Sequence, residues 1–257
     1  MRPSANYCWR LVATGGCFAI FSVGGFLLWL LVFPVVRMFS VTTRSERIRW
    51  VIHKSFSAFL WLMECVGIMR MEVDGGEKLR GCAGSLVLAT HPTLIDVVAL
   101  VSLMPAASCV VKQALWDDPF LGGVVRSAGY LSNSDADGLV DDCAGDLCAG
   151  KPLIIFPEGT RTWPGQPPRF QRGAAYIALR SGAPILPVLI DCRPSTLTRK
   201  DKWYQIPRRP FHLRIKVLDS VQAQHWGRQA ESQTIAARRV TRALEEFFIL
   251  ELAKWTR

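Results

Sequence analysis

The chain has 257 residues, of which 50% are hydrophobic and 20% charged, with a formal net charge of +10. That length accommodates one α/β domain plus a membrane element, and so high an apolar share argues against a plain soluble domain. The positive charge suits an anionic partner, nucleic acid or an anionic lipid surface; because it clusters beside apolar segments and no recognised nucleic-acid-binding motif accompanies it, nucleic acid is excluded in favour of membrane lipids.

In chain order, residues 15–36 carry no charge over 22 positions, enough for a helix to cross a bilayer core. Only Arg2 and Arg10 precede this run, whereas Arg37, Arg44, Arg47, Arg49 and Lys54 follow it. The positive-inside rule then puts the body of the chain in the cytoplasm, at the inner membrane. No small-x-small cleavage site follows the run, which argues against a removed signal peptide; a buried core helix is the alternative. Residues 48–68 keep an apolar stripe at helical spacing (Ile48, Val51, Ile52, Phe59, Leu62, Met63, Val66), with Trp50, Trp61 and basic residues elsewhere. Such a basic amphipathic helix fits a bilayer interface, and it equally fits a surface helix packed on an α/β core. We therefore divide the chain into a membrane-anchoring segment, residues 1–70, and a domain, residues 71–257.

Residues 70–73 read as a first short strand closed by Gly75-Gly76, and residues 85–89 as a buried strand. Thr90-His91-Pro92-Thr93-Leu94-Ile95-Asp96 follows, and then an apolar helix to residue 104. His91 thus falls where a strand hands over to a helix, a common position for reactive groups in α/β proteins. Five positions on a regular helix come to roughly 500° of rotation, so His91 and Asp96 meet only if His91 precedes the helix, as Pro92 in a first turn suggests. Two readings are open. One is a histidine base oriented by a carboxylate; the other is a core histidine beside an aspartate favoured by the helix dipole.

Residues 107–112 read as a strand ending at Lys112, followed by a turn and a helix over 119–127. A short strand over 129–131, a helix over 137–149 and a strand over 153–156 come next. Pro157-Glu158-Gly159-Thr160-Arg161-Thr162 ends that last strand, leaving Glu158 and Arg161 at its carboxyl end. Gln171-Arg172-Gly173 opens an alanine-rich helix that Gly182 caps. The next strand, residues 185–190, contains Pro187, which predicts an edge position or a bulge. Between Arg193 and Arg214 the basic residues face only Asp201 as an acid, with Trp203, Tyr204 and Phe211 interleaved. That segment is either a solvated loop or, as we favour, a membrane-facing basic arm. A strand over 211–218 and a helix over 231–255 close the chain. The eight cysteines form no Cys-x-x-Cys pair and no His lies at metal spacing, so they read as free thiols in a reducing compartment, with no metal site.

Taken together, His91 to Asp96 and Phe156 to Arg161 closely resemble the paired His-x4-Asp and Phe-Pro-Glu-Gly-Thr-Arg motifs of the glycerophospholipid acyltransferase family, the lysophosphatidate acyltransferases and their relatives. The resemblance runs over residues 85–190. It implies an α/β fold, a mixed sheet flanked by helices, here with an N-terminal membrane helix and an amphipathic helix, and it allows an N-terminal helix that enters the membrane without crossing it. Lys112, Pro119, Gly122 and Gly129 match a further family block. The arginine that closes that block, thought to hold the acceptor's phosphate, is replaced here by Ser132-Asn133-Ser134, and Thr90 stands where asparagine is common.

The reaction implied is acyl transfer from a thioester, acyl-CoA or acyl-carrier protein, to a hydroxyl of a lysophospholipid or related acceptor, with no cofactor. His91 would act as general base and Asp96 would orient it. Glu158 would bond acceptor hydroxyls or steady its loop, Arg161 and Lys112 would meet phosphate, and Gly159 and Thr160 would offer backbone approach and donors. No serine or cysteine stands as a nucleophile in these motifs, so direct transfer is expected. The rival from another class is a non-catalytic lipid-binding scaffold, which would keep the membrane elements without needing His91.

Overall fold

The computed structural model describes residues 5–38, 41–119, 121–133, 136–227 and 232–256. Seven strands form one sheet in the order β1-β7-β6-β2-β5-β3-β4. They are β1 (Met69–Asp74), β2 (Leu86–Ala89), β3 (Ser108–Val111), β4 (Leu131–Ser132), β5 (Leu153–Ile155), β6 (Ile185–Arg193) and β7 (Phe211–Val217). All neighbours are parallel except β6 and β7. Five adjacent strands, β6, β2, β5, β3 and β4, therefore deliver their carboxyl ends to one edge, and this is the mixed sheet that the resemblance implies.

β2 lies at the centre and all four of its residues are buried, which is why it reads as an unbroken apolar run. Its side chains alternate between two cores. Val87 and Ala89 face the core shared with α3 (Val41–Cys65) and α5 (Asp96–Leu103), while Leu86 and Leu88 face α8 (Ala136–Cys148), α9 (Gly173–Ser181) and α11 (Gln233–Trp255). Short helices α4 (Glu77–Arg80), α6 (Gln113–Trp116), α7 (Gly122–Ser127) and α10 (Gln224–Gly227) lie in the connections.

The N-terminal apolar run forms α1 (Ala5–Leu27), a π-helical turn (Leu28–Val32) and α2 (Phe33–Arg37). Pro34 explains the π turn: it has no N–H for the carbonyl of Leu30, and the Phe33 amide instead donates to Leu28 O, one residue further back than α-helical spacing. The run from Ala5 to Val36 is long and apolar enough to cross a membrane, and only 11% of its most apolar window is buried. It is nonetheless packed on the domain. Phe21 stacks near Phe56 and Phe59 of α3 at 5.7 and 5.1 Å, and Phe33 and Cys17 join the same core as Val87 and Ala99. Arg10 is buried and donates to the carbonyls of Pro207 at 2.9 Å and Arg208 at 2.5 Å.

α3 buries Ile48, Ile52, Leu60 and Met63 against the core and leaves Trp50 and Trp61 exposed, so the two readings of its stripe describe its two faces. The elements of the sequence reading are present with shifted ends. The helix expected from residue 94 begins at Asp96 because Thr93 forms the preceding turn. The helix expected from Pro119 begins at Gly122, after Asp118 Oδ1 accepts the Leu121 amide at 2.8 Å. Gly129, at φ 66°, delays the expected 129–131 strand to Leu131–Ser132. Phe120, Ser134 and Glu231 lie outside the described residues.

Pro187 requires a correction. β6 is an interior strand, not an edge. The other half of the expectation holds: Val188 pairs with Val217 whereas Ile185 pairs with Val221, so β7's chain carries one extra residue there. The proline's missing donor falls in that bulge, and its carbonyl still accepts the Leu218 amide at 2.9 Å.

Candidate active site

β2 ends at Ala89, and Thr90 continues along β6: its Oγ1 accepts the Ile190 amide at 2.8 Å and donates to Ile190 O at 3.3 Å. This stitch holds the next residue, His91, in the crevice beyond the sheet edge. His91 Nδ1 lies 2.8 Å from Asp96 Oδ2. The carboxylate can only accept, so Nδ1 carries the proton and Nε2 is the basic nitrogen. Asp96 is fully buried as the first residue of α5. It also accepts the Thr93 amide at 2.7 Å on Oδ2 and the Thr93 hydroxyl at 2.5 Å on Oδ1. The Phe156 ring stacks on His91 at 4.2 Å between centroids, inclined by 30°, and restricts rotation of the imidazole.

The loop after β5 closes on the same point. Gly159 adopts φ 65°, the left-handed turn that glycine favours. Thr162 donates its amide to His91 O at 2.8 Å and its hydroxyl to Glu158 Oε1 at 2.6 Å. Glu158 Oε1 also accepts the His91 amide at 3.2 Å. Burial pushes the Glu158 carboxyl above its ordinary value, while the bonds from Thr162 and the His91 amide pull the other way. Arg161 Nη1 donates to Leu197 O at 3.0 Å and Thr198 O at 2.8 Å. Residue 197 is held in turn by the Leu94 amide.

A cavity of about 1130 Å³ opens from this crevice, larger than the usual range for small-molecule sites of ≈ 300–1,000 Å³. His91, Lys112, Gly159, Thr160 and Arg161 line it, whereas Asp96 and Glu158 do not. Beyond them the wall is mostly apolar and comes from α1, the π turn, α3 and β3, through Phe18, Phe21, Leu28, Ile52, Phe59 and Val111 among others. The fold thus brings every candidate residue of the sequence reading to one crevice: His91, Gly159, Thr160, Arg161 and Lys112 on its surface, Asp96 and Glu158 behind it.

Two contributors were missed. Thr93 anchors Asp96, and its signal was present: Thr-x-x-Asp at residues 93–96 is a capping-box spacing. Thr162, just after the second motif, clasps the two loops. Asn133 lines the cavity, and its Oδ1 accepts the Gln113 amide at 2.9 Å, so the segment that replaces the family's arginine does face the crevice. From the basic arm, Arg199 also lines the cavity and lies 5.1 Å from the Trp163 ring.

A model of the Acyltransferase family matches residues 70–191, the segment that spans both motifs. Among curated relatives, the 1-acyl-sn-glycerol-3-phosphate acyltransferase of Pseudomonas aeruginosa is 30% identical over 55% of this chain and 57% of its own length. A putative 1-acyl-sn-glycerol-3-phosphate acyltransferase of Caenorhabditis elegans is 27% identical over 65% of this chain and 60% of its own. The chain therefore spans under two thirds of these relatives' lengths. The crystal structure of the 1-acyl-sn-glycerophosphate acyltransferase PlsC from Thermotoga maritima superposes with a TM-score of 0.71 over 95% of this chain and 97% of that one, at 17% identity, a likeness of fold. The His91–Asp96 pair and the Phe156 to Arg161 loop, joined in one crevice of that fold, thus lie within the segment, residues 70–191, that is similar to the acyltransferase family and to the 1-acyl-sn-glycerol-3-phosphate acyltransferases among its curated relatives.

Proposed function

We propose that this protein transfers a fatty acyl group from acyl-CoA or an acyl-carrier protein to a hydroxyl of a lysophospholipid or related lipid acceptor. The observation that carries the reading is the His91–Asp96 contact of 2.8 Å at the head of a long, mostly apolar cavity. A scaffold that only held lipid would gain nothing from an oriented imidazole. The acyl chain occupies the cavity with its thioester at His91. Nε2 takes the hydroxyl proton of the acceptor as its oxygen attacks the thioester carbonyl. Asp96 keeps Nδ1 protonated and stabilises the imidazolium that forms. Donors at Gly159 and Thr160 meet the oxyanion. Collapse expels the thiolate, which recovers the proton from His91. Cys109 lines the cavity, but burial pushes its thiol up to about 12, so it is no thiolate nucleophile and transfer is direct.

In this reading Glu158 braces the two loops rather than touching acceptor hydroxyls, since its Oε1 is already engaged by His91 and Thr162. Arg161 and Lys112 supply positive charge for phosphate. Asn133 offers no charge where the family has arginine, and losing one charge-assisted contact costs roughly 1.5–3 kcal/mol, about tenfold to a hundredfold in affinity. Lysophosphatidate is therefore a poor acceptor, and another lipid or hydroxylated acceptor is preferred. The lining position of Arg199 favours a second reading, in which the basic arm supplies the missing charge.

The protein works at the inner membrane with its domain on the cytoplasmic side, as the flanking charges imply. Arg10 bound to residues 207 and 208, and Trp203 against Gly15, keep the first half of α1 beside a basic arm. That packing supports a helix that enters the membrane surface over one that crosses it alone.

Product mass spectrometry of the purified protein, offered lysophosphatidate beside other lyso-lipids, tests the acceptor. Asn133→Arg is expected to raise activity on lysophosphatidate relative to the preferred acceptor. Equal turnover of lysophosphatidate by the unmodified protein, lost in Arg199→Ala, would support the second reading instead.

A further inference from the structure

β1, β7 and β6 carry a charged face on the side of the sheet away from the cavity. Met71, Leu213 and Cys192 stand opposite one another across the three strands and point into the core beneath α3. Alternation turns the rows on either side of them to the other face. One is Glu72–Arg214–Asp191, in which charges alternate in sign. The next is Arg70–His212–Arg193, which holds no acid. Like charges set directly opposite destabilise a sheet, so this row does not serve the fold.

A cleft of about 430 Å³ opens there, lined by Arg193, Arg209, His212 and Arg214 between Pro194 and Pro210. None of these residues lines the cavity at His91. Asp191 is shared by Arg193 at 3.0 Å and Arg214 at 2.5 Å. Among the described residues no ion pair engages Arg70 or Arg209, and both are exposed. Positive charge is therefore left over at a concave surface.

The N-terminal helix fixes the depth of this cluster. Trp9 Nε1 donates to Val66 O at 3.0 Å, four residues before Arg70. Arg10 Nη2 donates to the carbonyl of Arg208, next to Arg209. Consecutive residues of α1 thus hold both segments that lead into the cluster. They stand just ahead of the uncharged run that starts at residue 15, and Trp9 is 56% exposed. A tryptophan at the start of an apolar helix marks the headgroup level of a bilayer, where the anions within reach are lipid phosphates.

We infer that Arg70, Arg193, Arg209 and His212 form a site for the phosphate of an anionic lipid headgroup, separate from the catalytic cavity. The planar guanidinium forks match phosphate oxygens, and the alternating row beside them keeps the cluster from spreading apart.

The test uses full-length protein in nonionic detergent and titrates fluorescent phosphatidylglycerol carried in the micelles, with fluorescent phosphatidylcholine as the uncharged counterpart. The unmodified protein should bind phosphatidylglycerol more tightly. Arg70→Gln with Arg209→Gln should weaken that binding about twentyfold, roughly fivefold for each charge, and leave phosphatidylcholine unchanged. The same charge loss in Arg238→Gln with Arg242→Gln lies on the order of 25 Å along α11 from Trp255, beyond the screening length, and should cost less than about twofold. Arg70→Gln with Arg209→Gln should also melt no lower than wild type, because it removes unpaired like charges. Equal binding of the two lipids by the unmodified protein, equal losses in the two double variants, or a clearly lower melting temperature in the first would overturn the proposal. Inorganic phosphate, or purified acyl-carrier protein, bound through Arg70 and Arg209 without any lipid preference would overturn it too and reassign the cluster to that ligand. Because the readout is binding outside the cavity, absence of acyl transfer would count against the proposed reaction alone.

Discussion

Asp96 is held three ways, by His91 Nδ1 and by the amide and hydroxyl of Thr93, so its two oxygens are committed before any substrate arrives. The His-x4-Asp spacing was legible in the sequence; the Thr93 anchor was carried by the same heptapeptide and was overlooked because a capping box is usually read as a helix signal. Glu158 was legible as polar at a strand end that would bond acceptor hydroxyls or steady its loop, but its particular partners were not, because they lie in a loop 67 residues earlier as well as in its own. Its behaviour with pH follows from burial. The folded-state value is raised above 4.5, so the native protein binds the proton more tightly than the unfolded chain, and stability from this group is lost as pH rises through the folded value. Glu158→Gln keeps an oxygen for both donors and removes the titration. In paired thermal melts, the wild type should therefore lose stability relative to Glu158→Gln as pH rises from 4.5 towards neutrality. A constant difference across that range would contradict the assignment. Retention of most transfer activity by Glu158→Gln is expected of a brace, and a collapse of activity in a folded variant would return Glu158 to the acceptor.

At the scale of elements, the N-terminal run was readable as a long apolar helix, but its packing was not. The acceptors for Arg10 are carbonyls 197 and 198 residues away, and no local pattern announces them. Gly123 is equally silent in sequence. A Cβ there would fall inside contact distance of the Trp29 indole on the π turn, so the glycine seats that turn on α7. Gly123→Ala gains about 1 kcal/mol of helix propensity but meets an overpacking cost of typically 1–3 kcal/mol, and the clash should prevail. The expected result is a lower melting temperature with an altered acyl-chain-length profile, since Leu28, Leu31 and Val32 of the same turn line the cavity. A variant as stable as wild type would show that the indole moves aside freely. Pro187 makes a related point: the sequence offered an edge or a bulge, and only the pairing of Val221 with Ile185 decides between them.

Across the whole molecule, the carboxyl ends of five co-directional strands and an apolar roof of N-terminal helices meet over one crevice. The strands and both motifs were legible because central parallel strands are continuous apolar runs ended by Pro and Gly. The cavity was not, because its wall is shared between α1, α3, α7 and β3, whose contact is set by tertiary packing. Exposed Trp9, Trp50, Trp61, Trp203 and Tyr204, with Lys54 over the Trp50 ring and Lys202 over the Tyr204 ring, fit burial in a headgroup layer. Membranes carrying the protein should retain it through a high-salt wash and release it to detergent; recovery in the soluble fraction without detergent would contradict membrane attachment. The central claim is that His91 is the base of acyl transfer, and steady-state turnover by purified His91→Ala tests it most directly. The account predicts a loss of roughly 10²–10⁴-fold with an unchanged thermal melt, and near-normal turnover by a folded His91→Ala protein would contradict it.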